Sequence, residues 1–436
     1  MNSFCIKAIV GLALTVSTMA VYGSEQLNDN IFIHGGDNLI TPEKAEYVRA
    51  LKSGSVYQLV ADPDNNLLYI SWGYRLGANP DAGILAFDLN SLKARGYIKN
   101  VRDVYSLALD KTRNQLLAEH TVSRTIRGST FLKGNSFDII DLDRGSKRIQ
   151  TIELDQRKKE RLAFNSHYIL TDKDGNIFVS SESKPSKGGP EGMQKITKYD
   201  YTGRELWQTR AFPGLVAALI SKESVIAGVD DIYEINIKNG VISKSLYARG
   251  PVDENARYMM MAHGDNVIYA TSFLRPKTAP DNSKYNNIYI IEKGKAAKGF
   301  STVRYTNSVG VGSTGLVVNL DKKELYTANF NNNTLSVIDI TKKNNLNKYR
   351  NIFIKDAWGI NSIAYVNAGD KTYVYAGIKG GHGRNIKHTD KNVDDVKIAK
   401  ITLNSKNQDR FLWCRISVLD IKSNKFDYID RQCDIK

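Results

Sequence analysis

The chain has 436 residues, 42% of them hydrophobic and 25% charged, and carries a formal charge of +15. Past residue 23 no apolar run approaches 18 residues, which excludes a bundle of membrane-spanning helices. Proline is scarce, at 9 residues, and no long stretch repeats with a 3.6-residue period, so an α/β architecture fits poorly.

Taken in order, residues 1–23 read as a secretory signal: Lys7, an apolar run from Ala8 to Ala20, then Val21 and Gly23. Cys5 lies too early for lipid attachment and leaves with the signal. Residues 24–53 form a lead segment. In it Thr41 caps a short helix to Leu51 through Thr41-Pro42-Glu43-Lys44, and Ile31-Phe32-Ile33 is a strand able to extend an exposed sheet edge. The expected location is the periplasm.

From residue 54 to 436 one pattern recurs. Its clearest copy is Ser313 to Asp339: apolar Leu316-Val317-Val318, the turn Asp321-Lys322-Lys323, the strand Leu325-Tyr326-Thr327-Ala328, an Asn-rich loop, and alternating Leu335 to Asp339. Copies begin at Tyr57, Tyr105, His167, Val216, Tyr258, Thr314 and Ser362, roughly 40 to 60 residues apart. Third strands end at Asp88, Asp141, Asp200, Glu292, Asp339 and Asp420; the fourth copy is weak, with Ile235-Asn236 in that place. Each copy adds an outer fourth strand. Units this short bury their faces only against one another, and the predicted fold is an all-β, seven-bladed β-propeller of four-stranded blades.

These repeats, with Val393-Asp394-Asp395-Val396, resemble the YncE-like bacterial propellers with YVTN-type repeats. The resemblance implies a secreted, periplasmic propeller with no established catalytic set, and nucleic-acid binding is suggested for such relatives. The long stretch from Ile378 to Arg410 departs from that pattern and reads as an inserted loop.

Export leaves Cys414 and Cys433. Trp413 to Ile421 and Phe426 to Cys433 read as a hairpin around Ser423-Asn424, which sets the two cysteines on one rung, about 5.5 Å apart at Cα and within disulfide range. An oxidising compartment favours the bridge; two buried thiols are the alternative.

In a propeller the loops between second and third strands share one end with the links between blades. Those links carry Arg49 or Lys52, Arg102, Arg161, Arg210, Arg257, Arg304 and Lys355, and the within-blade loops add Arg124, Arg127, Lys133, Lys184, Lys187 and others. About 27 bases face about 15 acids there, so most of the excess charge falls on this end. Gln156 to Arg161 is its densest patch.

Two readings fit such an end: a solvated basic surface, or a concave face for a polyanion, with Arg102, Arg161, Arg210, Arg257 and Lys355 as phosphate contacts and Trp72, Tyr105 and Trp358 available for stacking. The aligned column Tyr57, Tyr105, His167, Val216, Tyr258, Thr314 and Ser362 lies near a channel mouth. Tyr57, Tyr105, His167 and Tyr258 are its candidate ligand contacts.

Gly310-Val311-Gly312-Ser313-Thr314-Gly315 matches a dinucleotide fingerprint in letters, but a strand follows it where a helix is needed. The glycines instead permit a tight entry into the sixth unit. Met259-Met260-Met261 reads as core. No catalytic signature appears, and no metal ligands or cofactor are assigned.

The expected protein is therefore a monomeric, non-enzymatic binding or scaffold propeller. Its ligand is single-stranded nucleic acid or another polyanion. The alternatives are an envelope protein-interaction platform and a metal-dependent lactonase or hydrolase drawing on Asp103, Glu119, Asp253 or Glu254.

Overall fold

The computed structural model describes residues 31–33, 55–73, 84–98, 104–126, 129–143, 147–153, 168–183, 193–213, 217–220, 223–228, 232–242, 256–263, 267–274, 288–293, 300–304, 313–330, 333–341, 349–354, 359–378, 397–404, 413–420 and 425–432. Every regular element among them is a strand, and every pairing is antiparallel. No helix among them is long and apolar enough to cross a membrane. The signal, the helix after Thr41, Arg102, Arg161, His167, Lys355, Trp358 and Cys433 lie outside the described residues.

The strands group into seven sheets in chain order. The first holds β1 (Ile31–Ile33), β2 (Ser55–Asp62), β3 (Leu67–Gly73), β4 (Ile84–Asp88) and β5 (Ala94–Ile98). The second holds β6 (Val104–Asp110), β7 (Gln115–Ile126), β8 (Ser129–Asp141) and β9 (Lys147–Glu153). In the third are β10 (Ile169–Thr171), β11 (Ile177–Ser183), β12 (Met193–Tyr199), β13 (Glu205–Gln208) and β14 (Phe212–Pro213).

The fourth sheet has three strands, β15 (Ala217–Ile220), β16 (Ser224–Gly228) and β17 (Ile232–Asn236), with one further bridge from Ile235 to Ile242. The fifth holds β18 (Ala256–His263), β19 (Val267–Leu274), β20 (Ile288–Lys293) and β21 (Phe300–Arg304). The sixth holds β22 (Ser313–Asn319), β23 (Glu324–Asn329), β24 (Thr334–Asp339) and β25 (Tyr349–Phe353). The last has five strands, β26 (Ile360–Ala368), β27 (Lys371–Ile378), β28 (Lys397–Asn404), β29 (Trp413–Asp420) and β30 (Lys425–Gln432). The sheets are meanders, save that β14 of the third pairs with β12, and β1 joins the first one by pairing with β5, Ile31 opposite Ile98.

The sheets stack through their first strands. β2 lies against β6, β6 against β10, β10 against β15, β15 against β18, β18 against β22, β22 against β26, and β26 against β2. Apolar side chains fill the gaps. Leu117, Phe137 and Ile139 of the second sheet meet Ile169, Ile177 and Val179 of the third. Tyr326, Leu335 and Val337 of the sixth meet Ile363, Val374 and Ile401 of the seventh. Val56, Leu68 and Ile70 meet Ala364, Tyr375 and Ile398, joining the first sheet to the last. Each such Val, Leu or Ile contributes about 1.5–3 kcal/mol by leaving water, so the core is a series of seams between neighbouring sheets.

Two glycines allow the closest approaches. A Cβ on Gly315 of β22 would lie 3.2 Å from the Ser362 Cα of β26, and one on Gly377 of β27 would lie 2.5 Å from the Val56 Cγ1 of β2. Gly315, the last glycine of the fingerprint-like run, thus sits at a packing contact.

Three expectations are corrected. The strand ending at Asp420 is the fourth of its sheet, not the third: β28, inside the expected insertion, separates it from β27. Ile398, Ala399, Lys400, Ile401 and Leu403 are all buried, so β28 shows no alternation to read. Second, β29 and β30 are joined by a four-residue link, 421–424, which pairs Asp420 with Lys425 and Cys414 with Arg431. The same-rung cysteine geometry required a two-residue turn. Third, Glu119, Arg124 and Lys133 sit in strands β7 and β8 rather than in loops.

Candidate ligand-binding face

The two ends of the sheet stack are built differently. At one end are the short turns joining first to second and third to fourth strands. There an Asp or Asn at the strand end accepts from backbone N–H groups two to four residues on, closing the turn with its own side chain. Asp88 Oδ1 takes the N–H of Asn90 (3.0 Å) and of Ser91 (2.8 Å), while Oδ2 takes the Arg95 guanidinium (2.6 Å) and the Asn66 amide (2.8 Å). Asp110, Asp141, Asp172, Asp200, Asn236 and Asp339 repeat the device with the N–H of Thr112, Asp143, Asp174, Thr202, Lys238 and Thr341.

Burial by itself pushes the Asp88 carboxyl up. The Ser91 N–H, the Arg95 guanidinium and the Ser91 hydroxyl outweigh it and hold the group below its ordinary value. Neighbouring turns also tie to one another: Asn319 Nδ2 donates to Asn367 Oδ1 (2.8 Å), Lys198 Nζ to the Ile237 carbonyl (3.2 Å), and the Arg113 guanidinium stacks 4.3 Å over the Tyr201 ring. The strand-end acids named above are thus engaged in their own turns.

The other end carries the candidate residues. At its centre, five first strands carry a bulge near their starts, where the register skips between Val56 and Leu59, Val104 and Ser106, Tyr258 and Met260, Ser313 and Gly315, and Ile360 and Ser362. Tyr57, Tyr105, Met259, Thr314 and Asn361 occupy corresponding positions. The expected column is therefore right at Tyr57, Tyr105 and Thr314 and one residue off at Tyr258 and Ser362. Tyr258 pairs with Ser272, and Ser362 pairs with Gly377 and is buried. Repeat alignment slips there because a bulge adds a residue without changing the apolar pattern.

Hydrogen bonds running from sheet to sheet fix these bulges. Asn361 Nδ2 donates to the Val56 carbonyl at 2.9 Å and the Tyr57 carbonyl at 3.2 Å. The Gln58 Oε1 beside them accepts the Ser106 hydroxyl (2.9 Å) and the Leu107 N–H (2.8 Å), and Ser106 Oγ in turn accepts the Ile169 N–H (3.1 Å). Gln58 N–H donates to Ser71 Oγ at 2.7 Å, and Tyr168 N–H to Ser180 Oγ at 2.7 Å, so the third sheet repeats the arrangement of the first. Seventh, first, second and third sheets are linked through Asn361, Gln58 and Ser106. None of these three stood out in the sequence, because one polar residue near the start of a strand has no periodic signature.

Of the other candidates, Trp72 sits on β3 opposite Val56, and Tyr57 is half-buried. Arg257 lies on β18 opposite Phe273. Arg210 is exposed and follows β13, next to Thr209, whose hydroxyl accepts the Ile196 N–H at 3.0 Å. Glu119, opposite Ser106, is fully buried, and desolvation raises its carboxyl well above the usual range. Among the described residues no three His, Cys, Asp or Glu side chains are grouped to hold a metal ion.

The sequence matches no family model and no curated protein. Solved structures do resemble it in fold. A 6-phosphogluconolactonase-like protein of Bacteroides uniformis superposes with a TM-score of 0.54 at 11% identity, over 85% of this chain and 98% of that one. Hydrazine synthase of Kuenenia stuttgartiensis gives 0.52 at 14% identity, over 87% and 96%. The WD40 β-propeller domain of Doa1 gives 0.50 at 12%, over 82% and 95%. At such identities the likeness carries the fold alone, and that fold is a β-propeller.

Proposed function

We propose that the chain is a seven-bladed, YncE-like propeller, exported to the periplasm. It acts as a monomeric, non-enzymatic binding module, and its loop end takes an anionic polymer, single-stranded nucleic acid being the ligand. The observation that supports this reading is the asymmetry of the two ends. Acids at the strand tips of the turn end are engaged by local N–H groups, arginines and serines, as at Asp88 and Asp200. Arg210, Arg257 and Arg304 fall at strand termini on the loop side, and Arg124 and Lys133 lie on β7 and β8. Seven sheets in series, the last lying on the first, support the blade count. The lactonase-type name belongs to a neighbour 11% identical, and it brings no residues to this chain.

The test is fluorescence anisotropy with labelled single-stranded DNA from about 50 to 300 mM salt, where each phosphate neutralised adds roughly −0.7 to the log–log slope. Binding that falls with salt and weakens in a Trp72→Ala/Trp358→Ala variant supports a stacking, phosphate-binding face. Absence of binding at the lowest salt refutes it.

A further inference from the structure

The longest described strands are β7 and β8. Only part of each belongs to the second sheet: residues 115–120 pair with β6, and residues 136–141 with β9. Residues 121–126 and 129–135 pair with each other alone among the described residues, down to Ile126 opposite Ser129, with Arg127 and Gly128 between. Six to seven residues at about 3.3 Å each give a two-stranded ribbon of about 20 Å standing off the sheet. It leaves through a register shift between Thr121 and Ser123, and a bulge there bends and twists the strand pair.

Its root is at the loop end. His120 is the register partner of Val104, the first residue of β6, so the ribbon starts at the loop-end terminus of β6, one residue from the Tyr105 bulge. From His120 to Phe137 there is no acid, while Arg124, Arg127 and Lys133 supply three bases, Arg124 in register with Phe131. A two-stranded ribbon is at best marginally stable alone in water, so one of this length and charge gains order from an anionic partner.

We infer that the β7–β8 ribbon is an arm that holds a single nucleic-acid strand against the loop end. The inference rests on the nucleic-acid reading above and adds the element that makes the contact. Arg124, Arg127 and Lys133 neutralise phosphates that the rim alone does not reach, and Phe131 supplies a ring in the same run.

The test compares the full chain with an Arg124→Gln/Arg127→Gln/Lys133→Gln variant by anisotropy on labelled single-stranded DNA. Thermal melting checks that both fold alike, and Arg124→Lys/Arg127→Lys serves as the charge-keeping control. The expected result is at least a tenfold weaker Kd for the neutralised variant, a salt slope shallower by about 2 from three lost contacts, and binding within a few-fold of wild type for the control. If wild type binds and the neutralised variant matches it in Kd and slope, the arm is refuted and the loop-end reading stands. If wild type binds anionic vesicles or nothing, but not DNA at about 50 mM salt, both fall together.

Discussion

At the scale of single residues, the Ser106 hydroxyl is the point where three sheets meet, since it donates to Gln58 Oε1 and accepts from the Ile169 N–H. Replacing it with alanine leaves the Ile169 N–H without this acceptor inside a buried seam. Ser106→Ala is expected to destabilise by about 1–3 kcal/mol, read as a lower urea midpoint with unchanged slope. Asp88 makes a pH-dependent contribution. Its folded pKa lies below its ordinary value, so its stabilisation is present above that value and is lost as pH falls through the depressed one. Asp88→Asn should therefore lower the urea midpoint at pH 7, and the gap to wild type should shrink below about pH 3.9. A gap of the same size at pH 2.5 and pH 7 contradicts this account of the carboxyl. Of the two, only Asp88 was legible in sequence, and only in part. The acid ending a third strand was visible at Asp88, but its work as a turn closure depends on Ser91 and Arg95, which no periodicity marks.

At the scale of elements, second and third strands were the most readable, because Leu67–Gly73 or Thr334–Asp339 combine apolar and β-branched residues between turn residues. Strand β28 was missed because it is buried on both faces, and a continuous buried run with Lys400 inside resembles no alternation. That lysine is satisfied by the neighbouring sheet: its Nζ donates to the Asn90 carbonyl at 2.6 Å and lies 4.2 Å over the Tyr373 ring. Desolvation lowers its pKa, with Asp88 opposing the shift. Tyr375 adds a hydroxyl bond to the Leu89 carbonyl at 2.8 Å, so the last sheet grips the third-to-fourth-strand turn of the first. The seam is also tight: Gly377→Ala places a methyl against Val56, and overpacking of this kind costs about 1–3 kcal/mol. Gly377→Ala should lower the melting temperature, and adding Val56→Ala should recover part of the loss. Additive losses in the double variant would show that the two positions do not share the seam.

At the scale of the whole molecule, seven repeats of one pattern predicted stacked meanders, and seven sheets in chain order are what the described residues form. Repeats announce such a stack because no unit can bury its faces alone. The loop end was harder to read, since its candidate residues come from segments far apart in sequence and the bulges at Tyr57 and Tyr105 are not encoded in composition. The sequence also read Arg124 to Lys133 as a loop, whereas Arg124 and Lys133 lie on the paired strands β7 and β8.

The central claim is that the two ends of the stack have different work, one closing turns and the other binding an anionic polymer. Its most direct test is the affinity for one labelled single-stranded DNA at a single salt concentration of about 100 mM, measured for two charge-neutralised variants. Lys111→Gln/Lys173→Gln/Lys322→Gln removes three bases from the turn end, and Arg210→Gln/Arg257→Gln/Arg304→Gln removes three from the loop end. The account predicts a Kd unchanged within about twofold for the first and weakened about tenfold or more for the second. Equal weakening in both variants, or a larger loss at the turn end, would contradict it.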